Sequence, residues 1–333
     1  MNNQPRSVEI GQRFNNSPLF IEIATPKLEN REERFREHLS ALEDLPEDLE
    51  YHGVNLPEIQ DESKKGERGK KRNEFQKRVP PRQYARELSE HIDTQFIINR
   101  VIVKHPQEAQ EEWLVETQQE YGIDTLVLVG GESSTEEYPG PSVTEGNRLI
   151  RSHLNHGNEI DAAQEVDSLE YLVGNIAIPT RRRKDFDEPE RMLKKIRSGA
   201  DFFTTQIIAE PNSPVKLMED LSQLLFLEEV TPPTLIWSFT PISAKKDIDF
   251  LRWLGVYIPD QIEKRILSAD NAAAESIQWA RKIWSRLVKI NRELPAPFPM
   301  GCNISVMGMR NFDNAVNMAG ALQGVETPEL KIH

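Results

Sequence analysis

Short runs rich in apolar and β-branched residues alternate along this chain with longer stretches in which apolar positions recur every three or four residues. Runs of the first kind fall at 19–24, 49–55, 96–103, 125–130, 169–178, 202–208, 234–239 and 303–307, and each reads as a strand. Helical patterns occupy 31–42, 82–92, 107–121, 143–154, 189–198 and 214–226. The stretch 260–292, with Ile262, Ile266, Ile277, Ala280, Ile283, Trp284 and Leu287 on helical spacing, fits two more. Strand followed by helix, repeated, builds a parallel sheet. Eight such strands predict an α/β chain closed into a (β/α)8 TIM barrel; an open doubly wound sheet is the alternative, because periodicity alone does not show closure.

The chain has 333 residues, more than twice a usual domain, yet barrels of this kind run to about 250 residues or more as one unit. No repeat and no Pro- or Gly-rich stretch divides it, so a single domain over 1–333 is expected. The pattern is interrupted at about 60–79, a basic loop insertion carrying Lys64, Lys65, Arg68, Lys70, Lys71, Arg72, Lys77 and Arg78. Such a run reads first as a solvated insert. After a barrel strand, however, it would lie on the catalytic face and attract an anionic substrate.

A formal charge of −13 repels phosphates and anionic lipid, which argues against nucleic acid or a membrane as a general partner. No apolar run approaches the roughly 20 residues needed to cross a bilayer, and Met1 to Arg13 lacks a secretion signal, so the cytoplasm is the expected address. The lone Cys302 reads as a small core residue of the last strand. No pair among the seven histidines has metal-site spacing with a third ligand, and no metal is expected.

In a barrel, polar residues near the carboxyl ends of strands are placed to meet a ligand. Glu22 lies between Ile21 and Ile23; apolar surroundings should raise its pKa towards the range of a general acid, unless it is a structural carboxylate bonded within the barrel. The fourth strand ends Gly130-Gly131-Glu132, where glycines allow close approach to the backbone and an acid follows, although a plain tight turn reads the same way. The sixth ends Thr204-Thr205-Gln206, whose amide suits a heterocyclic edge. Arg181, Arg182 and Arg183 follow the fifth strand, either against a phosphate or in a solvated loop.

Phe20-Ile21-Glu22-Ile23 with Pro26, Gly122-Ile123 followed by 126–132, and 193–202 (LKKIRSGADF) running on to Thr205-Gln206 together resemble the methylenetetrahydrofolate reductase family, in the same order and spacing. The resemblance implies a β/α barrel that binds FAD and reduces methylenetetrahydrofolate to methyltetrahydrofolate with hydride from NADH or NADPH. It makes Glu22 the acid that helps open the methylene bridge, Gln206 a folate ligand and Glu132 the counterpart of an aspartate near flavin and pterin. Lys195 matches a basic residue near the flavin phosphates, and Arg100, Gly130 and Gly131 join the cofactor side. Relatives often assemble as homo-oligomers, and some carry a large regulatory domain for which the chain after the eighth strand has no room. The sequence also departs from the family. Glutamate stands at 132 for aspartate, the third strand lacks the His-Leu-Thr type ending, and 179–183 lacks the Tyr-Pro-Glu and His pattern. These departures mark a divergent member. Two alternatives on the same scaffold are a flavin-free pterin-dependent methyl-transfer enzyme and a non-enzymatic folate-binding protein.

Overall fold

Each apolar run supplies one strand, and burial on both faces explains why the runs are nearly continuous rather than alternating. The strands are β1 (Leu19–Ile23), β2 (Gly53–Leu56), β3 (Gln95–Val101), β4 (Thr125–Val129), β5 (Leu172–Ala177), β6 (Phe202–Thr205), β7 (Thr234–Phe239) and β8 (Met300–Val306). Every residue of β7 and β8 is buried. These features come from a computed structural model that describes Phe14 and residues 17–61, 74–131, 137–155, 171–183 and 186–325, with backbone alone at 153–155, 182–183 and 186.

All eight strands pair in parallel with their sequence neighbours, and β1 closes the ring by pairing with both β2 and β8. The closing register sets Phe20 opposite Asn303 and Glu22 opposite Ser305, with Glu22 opposite Asn55 on the other side. The sheet is therefore a barrel and not the open alternative. Helices α1 (Arg31–Glu43), α2 (Pro81–Ser89), α3 (Gln107–Gln119), α4 (Val143–Asn155), α5 (Glu188–Arg197) and α6 (Asn212–Leu227) follow the first six strands in turn. A short antiparallel ribbon pairs 182–183 with 186–187 ahead of α5.

After β7 the chain makes three helices, α7 (Lys245–Trp253), α8 (Asp260–Leu267) and α9 (Ala272–Asn291), and α10 (Phe312–Gln323) follows β8. The pair α7 and α8 has a small core of its own, built from Ile242, Ile248, Leu251, Val256, Ile258, Ile262 and Ile266 with Ala209. This excursion holds α7 beside the carboxyl ends of the strands. Asp247, fully buried in its first turn, accepts from the backbone N–H groups of Ser243 and Ala244 and from Arg310, which ties the entry of α7 to the segment after β8.

Several strand ends differ from the sequence reading. Residues 49–52 are irregular, with Leu49 N–H bonded to Pro46 O across the preceding turn, so β2 starts only at Gly53. Ile102 and Val103 are buried in a 3-10 turn and not in the third strand. Inside the barrel, alternate side chains meet: Phe20, Ile97, Val127, Leu172, Phe202 and Ile236 form an apolar plug towards the amino ends of the strands, capped by Phe14. The Phe14 ring stands edge-on to Phe20 and Phe202 at 5.5 and 5.1 Å. Its full burial stabilises the closed end by about 3 kcal/mol. Among the described residues, no helix is long and apolar enough to cross a membrane.

Candidate functional site

Above the apolar plug the inward positions turn polar. Two residues beyond Phe20, Glu22 meets Asn55 of β2 and Asn303 and Ser305 of β8, all pointing into the barrel by the two-residue alternation of their strands. Asn55 and Asn303 each donate from Nδ2 to Glu22 Oε2 at 2.9 Å, and the Ser305 hydroxyl donates to Oε1 at 2.7 Å. The Asn303 amide also donates to Ser238 Oγ at 3.2 Å. Burial raises the pKa of Glu22, and the bonds from Ser305 and Asn303 offset only part of that rise. Desolvation wins because all three donors are neutral, so none compensates a full negative charge.

Asn55 Oδ1, beside this carboxyl, and Asn99 Oδ1 on the inner face of β3 are buried without a hydrogen bond. An unmatched buried acceptor costs about 1–3 kcal/mol, so both are suited to a ligand that brings N–H donors.

Glu22 and Ser305 lie at the floor of a cavity of about 620 Å³ at the carboxyl ends of β1 and β8. Such a volume suits a molecule of cofactor or drug size. One wall is aromatic: Phe250 and Trp253 of α7 line it, their rings stacked at 5.8 Å and 22°. The opposite wall is basic and polar, with Lys27, Arg34 and His38 from β1–α1 and Arg78 from the segment before α2. Burial, together with the positive charges of Arg34 and Arg78, pushes the His38 pKa down to about 4 against the opposing pull of Glu37. The ring is thus neutral, with Nδ1 2.8 Å from the Tyr84 hydroxyl.

Of the residues singled out in the sequence, the structure sets Glu22 and, from the basic run, Arg78 in this cavity. Gln206 follows β6 directly, but its amide donates to Leu254 O at 2.9 Å and borders a small neighbouring crevice. Glu132 lies outside the described residues, as do Lys64, Lys65, Arg68, Lys70, Lys71 and Arg72. Gly131 does grant a close approach, but to Tyr138 of this chain, whose ring occupies the space a Cβ would need.

Arg100 and Lys195 lie outside the barrel wall. Alternation along β3 turns Asn99 inward and Arg100 outward, where Arg100 bonds Glu58 and Gln110 and stacks over Trp113 at 4.3 Å. Lys195 of α5 donates to Ile176 O at 2.6 Å, and burial lowers its pKa to about 8 although Glu188 pulls it back up. Both cations are committed to packing helices against the sheet. Together with Tyr138 over Gly131, these placements do not fit a flavin held by Arg100, Lys195 and the Gly130-Gly131 backbone. Arg181 pairs with Glu188 at 3.5 Å. Among the described residues, no group of three or more His, Cys, Asp or Glu is placed to hold a metal ion.

The sequence reading passed over Asn55, Asn99, Asn303, Ser305, Phe250 and Trp253. A signal was present for the first four: single polar residues within apolar strands, as in Val54-Asn55-Leu56 and Cys302-Asn303-Ile304-Ser305, which a closed parallel barrel tolerates where they face a site.

No family model and no curated protein matches the sequence. Among solved structures, the chain is similar to an uncharacterised protein from Clostridium thermocellum that binds two copies of 5-methyl-5,6,7,8-tetrahydrofolic acid, at 17% identity over 96% of this chain and 99% of that one, with a TM-score of 0.73. A weaker likeness, at a TM-score of 0.45 and 11% identity over 92% and 98% of the chains, is to the tryptophan synthase complex of Pyrococcus furiosus. At 17% identity the first likeness establishes the fold, and this chain is a (β/α)8 barrel.

Proposed function

We propose that this protein binds a reduced folate with its pterin ring in the mouth cavity and that Glu22 acts on that ring as an acid. The observation that carries the reading is the floor of the cavity: a carboxyl group whose proton is favoured by burial, with the unpartnered amide oxygen of Asn55 beside it. A reduced pterin presents ring N–H groups and an exocyclic amine along one edge, which match acceptors of this kind. The Phe250–Trp253 wall offers a flat apolar surface to the ring. The 5-methyltetrahydrofolate bound by the Clostridium thermocellum protein of the same fold supports this ligand class.

With methylenetetrahydrofolate, a proton passed from Glu22 to one nitrogen of the methylene bridge lets that C–N bond break, its electron pair going to the nitrogen. The carbon stays on the other nitrogen as an iminium, ready for hydride. Reduction by a nicotinamide cofactor through FAD is the finer form of this reading and is a proposal from the family resemblance. The proton transfer itself needs no flavin, and Arg100 and Lys195 are engaged elsewhere.

Trp253 on the cavity wall makes tryptophan fluorescence a direct readout. Titration with 5-methyltetrahydrofolate and with methylenetetrahydrofolate should give saturable quenching with a Kd of about micromolar, and exchange of Trp253 for Phe should remove most of the signal while binding persists by calorimetry. No saturable binding of either folate up to about millimolar concentration, a Kd worth only about −4 kcal/mol, would sink the proposal.

A further inference from the structure

Arg78 is the charge on the cavity wall with the least compensation. Its guanidinium is half-buried, and its described hydrogen bond runs from Nη1 to the Thr25 carbonyl. Other cations near the mouth have carboxylates: Arg34 pairs with Glu37 and Lys27 with Glu29, while Arg100 behind the wall pairs with Glu58. Among the described residues Arg78 makes no such pair. Glu74 lies on the same rim, exposed to solvent and beyond ion-pair distance. Burial depresses the Arg78 pKa, and among the described residues no anion restores it.

The position of Arg78 is fixed by backbone. Segments 26–28 and 77–79 pair antiparallel, with Leu28 N–H bonded to Lys77 O at 3.0 Å and Val79 N–H to Pro26 O at 2.9 Å. The fold therefore holds the guanidinium at the wall without needing an ion pair to do so. The groups behind it, His38 and Tyr84, share a hydrogen bond and are neutral, so neither supplies a counter-charge.

We infer that Arg78 forms an anion subsite for a carboxylate at the far end of the ligand whose ring sits on Glu22, with Arg34 and Lys27 at the same rim drawing that end in. Resting on the folate reading, this assigns the subsite to the glutamyl end of the molecule. A ligand with N–H donors at one end, a flat middle against Phe250 and Trp253, and a carboxylate at the other would satisfy the floor, the wall and the rim together. An arginine–carboxylate contact in a partly dry site is among the stronger polar contacts available.

The test compares tetrahydrofolate with 6-methyltetrahydropterin, which has the ring and no tail, on the wild type, Arg78→Gln and Arg78→Lys by calorimetric titration. Wild type should bind the tailed ligand at least about tenfold more tightly. In Arg78→Gln that gap should shrink about tenfold, and Arg78→Lys should keep part of it, because the charge remains while the fork geometry is lost. An unchanged gap in Arg78→Gln, or equal weakening of both ligands, overturns the subsite and leaves folate binding standing. Absence of binding by both ligands to the wild type overturns the folate reading and this inference with it.

Discussion

Replacing Glu22 with Gln tests the acid without disturbing its surroundings. A glutamine oxygen in the place of Oε2 still accepts from Asn55 and Asn303, and its amide can donate to Ser305 Oγ once that hydroxyl turns. All three contacts are rematched, so at low pH the variant should lie within about 1 kcal/mol of the wild type. The pH dependence then separates them. With its pKa raised on folding, Glu22 holds more proton in the native than in the unfolded chain between the ordinary glutamate value and the higher native one. Its stabilising contribution is complete below the unfolded value and is lost as pH climbs through the native value, at up to about 1.4 kcal/mol per pH unit in that window. Gln does not titrate. The variant should therefore gain on the wild type as pH rises, then run parallel to it at a constant advantage. Urea unfolding of both proteins at closely spaced pH values from the acid side of neutrality upwards reads the difference, in which all other groups cancel. A difference that is flat in pH, or one that favours the wild type as pH rises, would refute the raised pKa and the role of proton donor built on it.

Two further outcomes check the frame around the site. Arg151→Met removes the guanidinium that joins Asp201 to the carbonyls of Tyr171 and Gly199, leaving a buried aspartate without that charge; a loss of about 3–5 kcal/mol is expected, partly recovered in Arg151→Met/Asp201→Asn, both measured by urea unfolding. Gly131→Ala should cost about 1 kcal/mol because its methyl group meets the Tyr138 ring, and a cycle with Tyr138→Ala should show the two changes to be non-additive.

The barrel was legible because its strands are buried on both faces: 234–239 and 125–129 carry enough apolar weight to stand out from any window. Strand ends were less so. Leu49, Tyr51, Ile102 and Val103 pack against the main core without lying in a strand, and composition does not distinguish that burial from a ladder position. Helix α7 escaped notice because Lys245-Lys246-Asp247 at its start and Arg252 near its end mask the spacing of Ile248 and Leu251. Of the site, Glu22 stood out as a charge inside an apolar run, and it lines the cavity at the strand ends. Arg100 and Lys195 show the opposite: a basic residue near a strand end has two faces to choose from, and only the register decides that Arg100 meets Trp113 and not the cavity. Arg78 was one of eight cations in a basic run, and its distinction, the lack of a carboxylate partner among the described residues, is a property of the folded chain alone.

The ring of Phe14 under Phe20 and Phe202 makes the barrel a cul-de-sac. Among the described residues, the cavity over Glu22 opens between α7 and the rim that holds Arg78. A molecule seated on the floor is then first in and last out, and any second reactant must stack over it from the solvent side. Turnover would follow an ordered sequence set by geometry, with departure of the deeper molecule waiting on the shallower one.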